Sequence, residues 1–193
     1  MVFDCADCRQ NYQLFGTFVF LIPTKFKMQD NPLELLPVVD PQGNVVGSAH
    51  RGQLHDGSKI LHPVVHLHVF NPAGELYLQK RPMWKAIQPG RWDTAVGGHI
   101  AYGEAPKDAL VREAWEEIGI TGFEPVKIRQ YVFESSVERE LVYVFKTVYD
   151  KPLAPSRETD GGRFWSVEEI KKVLGGKILT ENLESEVTNI LCL

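Results

Sequence analysis

Residues 97–120, GGHIAYGEAPKDALVREAWEEIGI, crowd Glu113, Glu116 and Glu117 into five positions of a helix whose two ends are marked in the sequence. Pro106 suits a first helical turn, where its missing N–H costs no bond, and Gly119 suits the left-handed residue just past a helix end. At about 100° per residue, Leu110, Ala114 and Ile118 share one face with Val111 and Trp115 beside it, and the three glutamates fill a sector of about 100° turned away. Like charges three and four residues apart destabilise an isolated helix by about 0.2–0.5 kcal/mol per pair, and no lysine lies within the trio to relieve them. Such a sector is either a solvated acidic face or a set of hard oxygen ligands for Mg²⁺ or Mn²⁺, completed by water and substrate phosphate oxygens. The surroundings favour the ligand reading. Gly97-Gly98 follows a β-prone run where backbone can approach a bound group closely, Glu104 precedes the helix, and Arg112 lies beside the acids.

The rest of the chain sets the frame for that site. A length of 193 residues with 44% hydrophobic and 24% charged positions fits one globular domain with a full core. With 21 basic against 25 acidic residues and no long run of one sign, neither a nucleic-acid polymer nor an anionic membrane is the expected partner. Three cysteines, Cys5, Cys8 and Cys192, are too few for a disulfide framework and suit a reducing cytoplasm. Cys5-x-x-Cys8 lacks the second pair of a zinc site and the preceding βαβ pattern of a redox site, so it reads as an ordinary pair. The apolar run LFGTFVFLI (14–22) has no basic segment before it and is about half the ~20 residues that cross a bilayer, so no export or anchoring is expected. Residues 1–27 read as an N-terminal extension, with the folded domain at 28–193.

Between apolar runs, Pro41-Gln42-Gly43-Asn44 supplies turn chemistry. VVHLHVF (64–70) and ELYLQKR (75–81), joined by Asn-Pro-Ala-Gly, predict a hairpin, and WDTAV (92–96), KIRQYVFE (127–134) and ELVYVFKTV (140–148) are further strands. Helices are expected over 106–118, from a Ser166/Glu169 capping box, and over 181–191. Strands with few helices and no regular βαβ alternation point to an α/β (α+β) fold, a mixed sheet covered by helices. His66 and His68 alternate on one strand face, as structural residues or as cleft lining. Trp84, Trp92 and Trp165 are expected to pack in the core rather than stack on a base.

The stretch from Gly98 to Ile120 also resembles, without a gap, the Nudix box G-x5-E-x7-R-E-U-x-E-E-x-G-U. Gly98, Glu104, Arg112, Glu113, Glu116, Glu117 and Gly119 occupy its fixed positions, and Ala114 and Ile120 its aliphatic ones. At roughly 5–7% background per residue type, seven fixed matches arise by chance about once in 10⁸ starting points. The resemblance implies an α/β/α sandwich with a loop-helix-loop catalytic motif that cleaves a diphosphate bond in nucleoside diphosphates linked to another group, or relatives. It implies that Glu113, Glu116 and Glu117 hold Mg²⁺ (or Mn²⁺) with the carbonyl of Gly98, and that Glu104 and Arg112 brace the loop against the helix. Glu116, or a later acid such as Glu158 or Asp160, would accept the proton of the attacking water.

KAIQPGRWDTAVGGH (85–99) is similar to a segment of type I isopentenyl diphosphate isomerase, a branch of the same superfamily. That likeness implies a diphosphate grip by Arg81 and Lys85, and a second divalent-metal site formed by His55, His62, His99, Glu138 and Glu140. Imidazoles with carboxylates suit Zn²⁺, Mn²⁺ or Fe²⁺. The chain departs from the isomerase pattern at two places. Gly97 stands where the proton-transferring cysteine is expected, and Glu113 and Glu116, usually missing from isomerases, are present. Protonating an alkene requires a positioned acid, so hydrolysis of a small-molecule diphosphate is the expected reaction. The alternatives are the isomerase and a non-catalytic nucleotide-binding module; the sequence leaves open the substrate and whether the protein is a homodimer.

Overall fold

The computed structural model describes residues 31–193, and the readings of Cys5, Cys8 and residues 1–27 lie outside them. The hairpin of β1 (Leu35–Val39) and β2 (Val45–His50) turns as expected at 41–44. Asp40 Oδ1 accepts from the N–H groups of Gln42 and Asn44, both at 2.9 Å, and Gly43 takes φ +93°, a value few other residues adopt. A single turn, α1 (Arg51–Leu54), leads to the long strand β3 (Leu61–Phe70).

β3 is the axis of a seven-stranded mixed sheet. Its other members are β4 (Leu76–Lys80), β5 (Trp92–Asp93), β6 (Val96–His99), β7 (Val126–Glu134), β8 (Arg139–Val148) and β9 (Gly162–Trp165), in the path β5-β4-β3-β8-β7 with β6 on β3 and β9 on β4. β3 and β8 run parallel from Leu61↔Arg139 to Phe70↔Val148; the other pairings are antiparallel.

Both faces of β3 are covered, which explains why it is buried almost throughout. Val65, Leu67 and Val69 join Ala109, Leu110, Ala114 and Ile118 of α2 (Pro106–Ile118) in the main core. On the opposite face Val64 joins Val142 and Val144, with Ile190 against them. Helices α3 (Val167–Val173) and α4 (Glu181–Asn189) bring Ile170, Leu183 and Val187 onto Leu76, Leu78 and Trp165. The architecture is therefore the expected mixed sheet between helices. The Ser166/Glu169 capping box opens α3 as predicted, and among the described residues no helix is long and apolar enough to cross a membrane.

The elements differ from expectation where turns interrupt β-prone runs. WDTAV divides into β5 and β6, and the β3–β4 hairpin retains one register pair, Phe70↔Leu76, because β4 turns away to pair with β5 and β9. Strand β9 is concealed in the sequence by Gly161-Gly162. Trp165 is buried and meets Trp92 edge-on at 5.0 Å. Trp84 does not pack in the core: it is 51% exposed, with Lys85 Nζ 4.9 Å from its ring centre.

Candidate active site

The helix α2 does not turn its acids away from the core as its apolar pattern implies. Val111 and Trp115 are each 44% exposed, whereas Glu113 is 4% exposed and Glu117 is partly buried, so the buried arc is rotated toward the glutamates. The Gly97-Gly98 strand causes this. A side chain on Gly98 would run into the carboxyl of Glu113, so only glycine lets β6 lie directly over that acid. Glu117 Oε2 accepts from the N–H of Gly97 at 3.2 Å and from Gln79 Nε2 at 3.0 Å. Glu116 lies further out, exposed to solvent.

Arg112 ties these parts together. It forks onto Glu104 (Nε to Oε1 2.9 Å, Nη2 to Oε2 2.8 Å), donates to the carbonyl of His99 at 3.0 Å, and reaches Glu113 at 2.6 Å and Glu116 at 3.4 Å. Its hydrogen bond to Glu104, together with Glu113, holds its pKa far above the usual arginine range. Glu104 Oε2 also accepts from the N–H of Ala101 at 2.9 Å, so the acid spans the loop it closes. Burial, with Glu113 beside it and Glu158 nearby, pushes Glu117 up to about 8. A pair of near-buried carboxylates under a glycine strand, with a third at the rim, is the donor chemistry of a hard divalent cation.

Glu117 and Gly97 also form part of a cleft enclosing about 400 Å³ of space open to solvent, whose lining includes Arg81, Lys85 and Glu158. Arg81 is held by Asp93 (Nη1 to Oδ2, 2.8 Å) and by the carbonyl of Ile87. Asp93 is fixed in turn by the hydroxyl of Thr180 at 2.8 Å. Of the two late acids, Glu158 lines the cleft, while Asp160 does not and donates its backbone N–H to the carbonyl of Lys80 at 2.8 Å.

The second constellation lies at the start of β3. Ring nitrogens of His55, His62 and His99 lie within 4.8 Å of one another. His55 Nε2 is 3.2 Å from His99 Nε2, and its Nδ1 is 2.7 Å from Glu138 Oε2. His62 Nε2 is buried without a hydrogen-bond partner and lies 4.0 Å from Glu140 Oε1. Sheet register places part of the cluster, with His62 opposite Glu140 and Val64 opposite His99, and His55 joins it from the end of α1. Burial lowers His62 to about 4, keeping the imidazole neutral, and raises Glu140, which has Glu138 nearby. A neutral, orphaned imidazole nitrogen facing two others and a carboxylate fits a transition-metal ligand set.

A third group escaped the sequence reading. Glu186 of α4, fully buried, faces His66 Nδ1 at 2.8 Å, His68 Nε2 at 2.7 Å and the Tyr131 hydroxyl at 2.7 Å. Asn182 accepts from the same hydroxyl and donates to Glu140 Oε2 at 3.2 Å, linking this group to the second constellation. The available signal was the acid at 186 within the apolar stripe Leu183, Val187 and Ile190.

The family described as NUDIX domain matches residues 60–183. A Pseudomonas aeruginosa protein described as an uncharacterized Nudix hydrolase is 38% identical over 120 residues, 62% of this chain and 70% of the relative. The isopentenyl-diphosphate Delta-isomerase of Mycolicibacterium vanbaalenii is 32% identical over 143 residues, 71% of this chain and 79% of the enzyme. Among solved structures, DR0079 from Deinococcus radiodurans aligns with a TM-score of 0.70 at 22% identity, over 81% of this chain and 99% of that one, a likeness of fold.

Proposed function

The chain belongs to the Nudix family, and from that premise we propose that it hydrolyses a diphosphate bond in a small molecule, a nucleoside diphosphate linked to another group or a related compound, with Mg²⁺ or Mn²⁺. The observation that carries this reading is the gathering of Glu113 and Glu117 under Gly97-Gly98, at the wall of a cleft that also presents Arg81 and Lys85. Glu113, Glu116 and Glu117 hold the cation, with the Gly98 carbonyl as a further oxygen donor. When bound, the cation neutralises diphosphate oxygens and lowers the pKa of the attacking water. Arg81, braced by Asp93, and Lys85 grip the diphosphate. Glu104 and Arg112 fix the loop. Glu116, the most accessible of the trio, takes the water's proton; Glu158 in the cleft is the competing acceptor, and Asp160, outside the lining, is the weaker candidate.

The test is a panel of nucleotide and prenyl diphosphates incubated with each divalent metal in turn. Phosphate or two phosphorylated products should appear with wild type and fall by at least a hundredfold in Glu117→Gln. Intact substrates throughout would refute the reading. Loss in Glu158→Gln with activity retained in Glu116→Gln would move the proton acceptor to the late loop.

The His55, His62, His99, Glu138 and Glu140 cluster favours a second reading, isopentenyl diphosphate isomerisation, as do relatives bearing that name. Gly97 opposes it, because it offers no acid to protonate an alkene. Dimethylallyl diphosphate formed without phosphate release would reverse the preference. In either case we assign the cluster a second divalent metal, its fit resting on the unpartnered His62 Nε2. A non-catalytic binding module is disfavoured by the complete carboxylate trio. The reading takes the protein as cytoplasmic and its partner as a small molecule.

A further inference from the structure

His66 and Gly97 are opposite one another on the antiparallel pair β3–β6, so the imidazole and the missing Gly97 side chain belong to one face of the sheet. A Cβ placed on Gly97 would sit 3.6 Å from His66 Cδ2, 3.7 Å from His66 Nε2 and 3.6 Å from Thr94 Cγ2. Those are ordinary contacts, and Gly97 itself is exposed and lines the cleft. The Cδ2–Nε2 edge of an otherwise enclosed ring therefore borders space that most other residues at position 97 would fill.

The far side of the ring is fixed. Glu186 Oε1 meets both His66 Nδ1 and the Tyr131 hydroxyl, and Oε2 meets His68 Nε2, so each oxygen of this buried carboxylate is engaged. An anion buried to this depth requires a cation beside it. The groups facing His66 are Glu186 of α4, Glu140 of β8 and Asp93 of β5, with His68 and Tyr131 sharing Glu186. Acidic neighbours on three elements outweigh the cost of burying the charge and raise His66 to about 9. An imidazolium donates from both nitrogens. Nδ1 is committed to Glu186, whereas Nε2 is the nitrogen that lies beside the position a Gly97 side chain would take.

We propose that His66 is a substrate-binding residue, which donates from Nε2 across the open face of Gly97 to an anionic oxygen of the diphosphate, with Glu186 as the positioning residue that orients the ring. The assignment rests on the diphosphatase reading and adds a specificity to it: substrates carrying an oxyanion at this wall are selected over those presenting an apolar group. It also gives Gly97 a role, since the absence of a side chain opens the route to Nε2.

The experiment uses the full chain with Mg²⁺ and methylenediphosphonate, a diphosphate that cannot be hydrolysed through its bridge. His66→Asn retains a donor where Nδ1 meets Glu186 and removes the cleft donor; His66→Gln places an amide nitrogen near Nε2. Calorimetry should show binding weakened roughly tenfold to a hundredfold in His66→Asn and partly restored in His66→Gln. The His66 Nε2 resonance, assigned by its disappearance in His66→Asn, should shift as wild type is titrated. Equal affinity in wild type and His66→Asn with an unmoved resonance overturns the proposal, and if wild type still hydrolyses the diphosphate panel the broader reading survives. Absence of both binding and hydrolysis in wild type removes both. Where His66→Asn fails to fold, Gly97→Ala decides: its methyl group meets the ring in ordinary contact, so weakened binding supports the proposal and unchanged binding overturns it.

Discussion

Arg112 Nη1 lies 2.6 Å from Glu113 Oε1 while the same guanidinium forks onto Glu104 at 2.8 and 2.9 Å. One side chain thereby fixes a candidate metal ligand and the loop that leads into its helix. Lysine carries the charge without the planar fork. Arg112→Lys should lower unfolding free energy by about 1–3 kcal/mol and raise the Mg²⁺ concentration needed for half-maximal hydrolysis. Urea unfolding and a metal-activation curve measure the two effects, and retention of both wild-type values would show that charge alone suffices.

Adjacent glycines should respond in opposite ways. A methyl group at Gly98 collides with the Glu113 carboxyl, whereas one at Gly97 has only ordinary contacts at 3.6–3.7 Å. Gly98→Ala is expected to destabilise the protein by about 1–3 kcal/mol through overpacking and Gly97→Ala by less than about 0.5 kcal/mol, read by thermal or urea unfolding.

The histidine cluster should bind a metal independently of the carboxylate trio. Glu117→Gln protein titrated with Co²⁺ is expected to develop visible absorption from nitrogen ligation, and His62→Asn in the same background should lose it. Affinity should fall as pH drops through the histidine range, because ligation requires neutral imidazoles.

The His66–Glu186 pair gives stability a pH dependence. The folded-state pKa of His66 is raised from 6.5 to about 9, so its contribution is complete below about 6.5 and disappears as pH rises through 9. Burial works against ionising Glu186, but His66 and His68 hold its pKa below the usual 4.5, so its contribution is present above that value and is lost in acid. The pair therefore stabilises most between about pH 4.5 and 6.5. In metal-free protein, wild type should lose roughly 1–3 kcal/mol more than Glu186→Gln between pH 6.5 and 9. Glu140 and Tyr131 are themselves shifted by Glu186, so the difference between the two proteins reports the linked group as a whole. Parallel urea-unfolding curves across this range would rule the effect out.

Much of the site was readable because its residues lie in one contiguous segment. Pro106, Gly119 and the spacing of Glu104, Arg112 and the glutamates are local signals, and the helix forms over 106–118 as they predict. Helical periodicity alone misjudged the rotation of α2, since it counts Val111 and Trp115 as buried and takes no account of a glycine strand able to cover acids. Sheet register brings His62, His99 and Glu140 together, while His55 comes from the end of α1 and Glu138 from just before β8; spacing along the chain encodes none of this, and the set was named only through the family resemblance. Glu186 was hidden because its partners His66 and His68 lie 120 and 118 residues away. The exposed side of Trp84 depends on how the 81–91 loop folds back, a tertiary outcome.

The parallel alignment of β3 with β8 has a mechanical consequence. It sets His62 against Glu140 at one end of a ladder that carries His66 four residues further along. Sliding one strand by a single step would turn every odd position into an even one and scatter the imidazoles and carboxylates to opposite sides of the sheet. Insertions and deletions are thus confined to the chain segments between the strands, while the ladder itself behaves as a fixed ruler.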